Sequence, residues 1–178
     1  MRPAPGEVVH FSEDPTITRF EPHVAATAQQ PEAYVWAVDT GRAPDYWFPR
    51  QCPRAMAWVV PATTEADRSS LGAARVHAIE YGWLAAMRSV RLYAYRFAAS
   101  PFRPFGAHAH AMVATKPASP PGPPEPVGDL LALHADAGIE LRVLGNLWGF
   151  VDAVSRSSLG FSGIRLQNAR PRPGELHP

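Results

Sequence analysis

A chain of 178 residues with 46% hydrophobic and 19% charged residues is long enough to bury a core and too apolar to be intrinsically disordered. Its formal net charge of +1 gives no global field to draw nucleic acid or anionic lipid, and one cysteine, Cys52, excludes an internal disulfide. No apolar run approaches the roughly 20 residues of a membrane span, and Met1-Arg-Pro-Ala-Pro-Gly6 lacks a signal-peptide core, so the chain reads as cytoplasmic with no membrane partner.

Twenty prolines interrupt regular structure by fixing φ and removing backbone donors, which predicts short elements joined by stiff loops. In chain order, Glu7–Phe11 reads as a strand, with Ser12 and Pro15 opening a turn or short helix. Tyr34–Val38 is a second strand, and Asp39–Asp45 a turn with a short helical segment. Arg54–Val60 is a third strand, closed by Pro61. Thr63 or Thr64 caps a short helix through Arg68. Arg75–Tyr81 alternates as a half-buried strand, Trp83–Arg88 suits a helical turn, and Val90–Phe97 alternates as another strand. His110–Ala114 is a short strand. Lys116–Pro126 is too rich in proline for either element and reads as an extended connector near polyproline II. Val127, Leu130, Leu131 and His134 recur at helical spacing up to Gly138. Ile139–Leu144 is ambiguous, a helix follows near Leu147–Val154, and Phe161–Leu166 closes the order.

Strands and helices interleave without a βαβ rhythm. This predicts an α+β fold: a mixed, largely antiparallel sheet of short strands with a few short helices. The predicted organisation is one domain over residues 1–169 and a flexible Pro-rich tail over 170–178. Dinucleotide, P-loop, nucleophile-elbow and CxxC motifs are missing, which removes many common enzyme classes.

Several residues could carry chemistry. His10 lies on a strand beside a turn rich in hydroxyl and carboxylate groups; a locally satisfied structural histidine is the simpler reading. His108 and His110 form a His-x-His pair that would put two metal ligands on one strand face, but no third or fourth ligand follows at characteristic spacing. Arg50 and Arg54 bracket Gln-Cys-Pro in a Pro-bounded loop suited to binding phosphate or carboxylate. They would also favour a Cys52 thiolate, although a nucleophile needs a base and the nearest histidine is His77. Tyr93, Tyr95, Trp36 and Trp58 read most simply as core or sheet-face aromatics.

Two resemblances add to this. His10-Phe-Ser-Glu-Asp14, Phe48-Pro-Arg-Gln-Cys-Pro-Arg54, Glu125-Pro-Val-Gly-Asp-Leu-Leu131 and Phe161-Ser-Gly-Ile-Arg-Leu166 resemble the signatures of an uncharacterised bacterial family of unknown function. More distantly, His10-Phe-Ser, Val35-Trp-Ala-Val38 and Leu92-Tyr-Ala-Tyr95 resemble the strand motifs of small ADP-ribosyltransferases of the rifampicin-modifying type. That likeness implies a split sheet, NAD as cofactor, His10 holding the ribose, and Trp36 as the stacking aromatic in place of the usual tyrosine. It names His10 and Trp36 as catalytic, and His10, Ser12, Trp36, Arg50 and Tyr93 as cofactor-binding. Nicotinamide would leave through an oxocarbenium-like ribose, which requires positioning and electrostatic stabilisation more than a strong base. The family's acidic residue has no counterpart in His108-Ala-His-Ala-Met-Val-Ala-Thr-Lys116. The reading needs the His10 imidazole and the Trp36 indole to open onto one cleft. Two alternatives remain: a metal-dependent enzyme using His108 and His110 with His10 or His77, and a non-catalytic domain for a small-molecule or nucleotide ligand or a protein partner.

Overall fold

Glu7-Val-Val-His-Phe-Ser12 forms strand β1, in which the branched pair Val8 and Val9 is buried. The computed structural model to which it belongs describes residues 1–24, 31–106 and 110–174. Among these residues, short strands in mainly antiparallel pairing and four α-helices make an α+β chain. No described helix is long and apolar enough to cross a membrane. The chain divides into two compact units, residues 1–47 with 91–128, and residues 48–90 with 129–178.

The first unit holds two three-stranded sheets. In one, β1 pairs antiparallel with β5 (Tyr93–Ala98), with Glu7 opposite Ala98 and Ser12 opposite Tyr93. The two-residue strand β8 (Glu125–Pro126) pairs with the start of β5. That part of the expected polyproline connector therefore joins a sheet, at an edge, where proline's missing N–H does least harm. The other sheet runs β2 (Val35–Ala37), β7 (Ala111–Ala114), β6 (Arg103–Phe105). An isolated bridge ties β1 to the end of β2: Val9 and Val38 exchange backbone hydrogen bonds of 2.9 and 2.8 Å. Val8, Val35, Ala37, Tyr95, Phe97, Phe102 and Phe20 form this unit's apolar core. Burying such side chains contributes about 1.5–3 kcal/mol each, which can hold strands as short as three residues in place.

The second unit is a four-stranded sheet in the order β10 (Gly160–Ile164), β3 (Arg54–Trp58), β4 (Arg75–Glu80), β9 (Glu140–Leu144). Only β4 with β9 is parallel in this sheet. Between β3 and β4, α1 (Glu65–Leu71) starts where the Thr64 hydroxyl accepts the Asp67 N–H, in agreement with the capping signal. Helix α2 (Leu84–Ser89) follows a 3-10 turn at Tyr81–Trp83. Helix α3 (Leu130–Asp136) is capped by Asp129, whose carboxylate accepts the N–H groups of Leu131 and Ala132. Helix α4 (Trp148–Ser155) sets Val151 and Val154 against Ala55, Ala57, Val76 and Ala78. The other face of β4 carries His77, which meets His134 of α3. β4 is thus covered on both faces, where its alternation predicted burial on one. A histidine at an inward position reads as polar in the sequence although its hydrogen bonds are made inside the fold.

Candidate functional site

In the first unit the His10 Nδ1–H donates to the backbone carbonyl of Trp36 at 2.8 Å. A carbonyl can only accept, so this bond fixes the proton on Nδ1 and leaves Nε2 as an acceptor nitrogen in the neutral ring. The imidazole packs on Phe20, a member of the core, at 4.8 Å between centroids. The bridge at Val9 and Val38 sets the faces: His10 falls on the side of Ala37, and Trp36 on the other. The contacts agree, because the indole meets Tyr34 at 5.8 Å and Phe105 at 5.1 Å. His10 and Trp36 are therefore joined through the backbone, while their rings stand on opposite faces of β2.

The remaining residues of the nucleotide reading are placed as follows. Ser12 is buried, and its hydroxyl accepts the Asp14 N–H at 3.1 Å, making the turn after β1 rather than a helix. Tyr93 lies opposite Ser12 and packs partly against the core. Arg50 is exposed on a turn of the second unit, closed by the Cys52 N–H on the Pro49 carbonyl at 2.9 Å.

The face of β2 that carries Trp36 bears a cluster that the sequence reading did not assemble. Trp36 lies opposite Val113 of β7, and Val113 opposite Arg103 of β6. Tyr34 and Phe105 extend the same face, 5.4 Å apart, and His110 stands 5.5 Å from Phe105. The Arg103 guanidinium lies 5.6 Å over the Tyr34 ring and donates to its hydroxyl at 3.3 Å. Such stacking suits a planar, weakly hydrated cation. Tyr34 is buried, Trp36 and Phe105 are half-buried, and Arg103 and His110 are exposed, so the cluster grades from core to solvent. The Trp36 indole N–H is buried and has no hydrogen-bond acceptor among the described residues, a cost of about 1–3 kcal/mol. The proline in Arg103-Pro-Phe105 hid β6, an edge strand that tolerates it.

The second unit contains a buried relay. The Arg75 Nε–H donates to His77 Nε2 at 2.9 Å, His77 Nδ1 meets His134 Nε2 at 3.0 Å, and His134 Nδ1–H donates to the Leu130 carbonyl at 2.7 Å. Guanidinium at one end can only donate and carbonyl at the other can only accept, so both rings are neutral with the proton on Nδ1. Burial, then repulsion from His134 were both rings to take up a proton, and from the Arg75 and Arg54 guanidinium groups, push His77 down to about 2. Burial likewise lowers His134, the bond to Leu130 working against it. Every ring nitrogen has a partner, which makes this a structural pair. Burial also pushes the Cys52 thiol up to about 12, outweighing the nearby Arg54 charge, in keeping with an ordinary buried cysteine rather than a nucleophile.

Among the described residues no group of three or more His, Cys, Asp or Glu side chains could hold a metal ion. His108, half of the His-x-His pair, lies outside the described residues. A family model matches residues 9–169, nearly the whole chain. The chain belongs to DUF6886, a family of unknown function. No curated protein and no solved structure matches it. Within this DUF6886 chain, the ring cluster of β2 and β6 combines partial exposure, aromatic surface and positive charge.

Proposed function

We infer that the protein is a ligand-binding domain whose first unit receives a small molecule with a planar ring and negative charge, a nucleotide such as NAD, on the aromatic face of β2 and β6. The single observation that carries this reading is the cluster of Tyr34, Trp36, Phe105 and His110 with Arg103 at its rim. Aromatic side chains offer a nucleobase a stacking platform, worth about 1–3 kcal/mol per base. The buried Trp36 N–H is a donor that a ligand acceptor would satisfy. His10 acts here as a positioning residue, because its bond to the Trp36 carbonyl holds the strand that presents the indole. The paired rings of the ADP-ribosyltransferase motif would need one shared face, so the nucleotide reading rests on the cluster and not on that pairing.

A ligand that binds only the native state raises its stability, by about 2.7 kcal/mol at a hundred times Kd. Titrating the full chain with NAD, ADP-ribose and adenosine, followed by melting temperature and tryptophan fluorescence, tests the reading. The expected result is a saturable shift that Phe105→Ala and Trp36→Phe weaken and that His10→Ala reduces. An unmoved transition at millimolar concentrations of all three would overturn it. Release of nicotinamide from NAD separates ADP-ribosyl transfer from binding alone.

A further inference from the structure

We propose that Asn146, Trp148 and Asp152 along α4 form a docking site for an extended Arg-Pro-Arg segment of a partner protein, occupied here by the chain's own Arg170-Pro171-Arg172. The site belongs to the second unit and is independent of the ring face of the first.

The held segment is built to present carbonyls. Pro171 and Pro173 have no N–H, and residues 170–174 join no strand among the described residues. Donors recognise such a chain, and two side chains supply them. The Trp148 indole N–H donates to the Arg170 carbonyl at 2.7 Å, and the Asn146 side-chain amide donates to the Pro171 carbonyl at 2.9 Å. The Asn146 Oδ1 accepts the Trp148 backbone N–H at 2.9 Å, which turns its amino group towards the segment. Two consecutive carbonyls are thus read through the backbone alone.

Charge supplies the sequence preference. The Arg172 guanidinium lies 4.1 Å over the Trp148 ring and donates to the Asp152 carboxylate at 2.8 Å. Trp148 and Asp152 are one helical turn apart on α4, so a ring and an acid meet the same cation. The buried Glu80 carboxylate accepts the Arg170 N–H at 3.1 Å and the Leu147 N–H at 3.2 Å, tying the start of the segment to the start of the helix. An aromatic ring beside an acid, with donors aimed at a proline-containing backbone, is the chemistry that recognises polyproline-like chains. Arg170 and Pro171 are exposed, and the side chains of Arg172 and Asp152 are 39% and 36% exposed. Beyond the Arg170 N–H, the resident segment is therefore held by surface contacts that a free peptide can take over.

The test is fluorescence anisotropy of a labelled peptide, Asn-Ala-Arg-Pro-Arg-Pro-Gly, with the full chain. In the wild type the tethered segment competes at an effective concentration on the order of millimolar, and binding should be weak. Arg172→Glu sets two carboxylates together, displaces the resident segment and should tighten the peptide about tenfold. Arg172→Ala, a milder change, should act in the same direction and decides the matter if the glutamate variant folds poorly. Adding Asp152→Ala, or replacing the second arginine of the peptide by alanine, should abolish the gain. No gain in either Arg172 variant, or a gain that survives Asp152→Ala, overturns the proposal. A wild-type chain that dimerises with rising concentration, while no variant takes the peptide, assigns the site to a second copy and overturns the partner reading.

Discussion

Acid should unfold this protein through the pair His77 and His134. His77 is 0% exposed and titrates near 2 in the fold, against 6.5 in its absence. The unfolded chain therefore binds the extra proton, and stability falls as pH drops through 6.5 and goes on falling towards 2. Each pH unit below 6.5 removes about 1.4 kcal/mol for this one group, so about 2.7 kcal/mol present at pH 8 is gone by pH 4.5. His134 is lowered as well and adds in the same direction. The lowered carboxylates, among them Asp67, Asp152 and Glu125, act beneath their ordinary range near 4 and leave the window from pH 7 to 5 to the histidines. Urea midpoints at pH 8, 6.5, 5.5 and 4.5 measure the slope, with His77→Gln/His134→Gln as the non-titrating reference. A wild-type midpoint that stays flat from pH 7 to 5, or a double variant with the same slope, would refute the argument.

Three further outcomes follow from the same structure. Cys52, with its thiol at about 12, should resist iodoacetamide at pH 8 in the folded protein and react in urea, which mass spectrometry reads directly. Asp129→Ala removes the acceptor of two helix N–H groups and should cost about 1 kcal/mol in chemical denaturation, with Asp129→Asn recovering most of it. Glu80→Ala strips a buried carboxylate from the N–H groups of Leu147 and Arg170 and should cost about 2–4 kcal/mol; a loss under 0.5 kcal/mol would show that those amides find other partners.

Much of the architecture is legible in local pattern. Thr64 announces α1 and the β-prone run from Glu7 announces β1, because caps and strand propensity act over a few residues. What depends on distant pairing is not legible. β6 is three residues with a central proline, and it is a strand only because β7 lies beside it. His77 and His134 are 57 positions apart, and each looks like an ordinary polar residue until the fold sets them 3.0 Å apart. The site was partly readable. Tyr34 and Trp36 alternate in plain view, but Arg103 and Phe105 join them through cross-strand register, and His110 through its contact with Phe105. Strand alternation alone did not reveal that His10 and Trp36 would turn away from each other, since that depends on how β1 meets β2 at Val9 and Val38.

Neither unit is written as one stretch of sequence: the chain lays down part of the first, part of the second, then returns to finish each in turn. A fragment ending at residue 90 would carry β1 without β5 and β4 without β9, leaving two sheets with raw edges. Limited proteolysis should accordingly yield no autonomous half, and a ribosome must deliver the chain up to Gly128 before the first body can close and residues well past Asp129 before the second can. Transplanting the ring-bearing portion into another protein would mean carrying two separate stretches and a bridge between their ends.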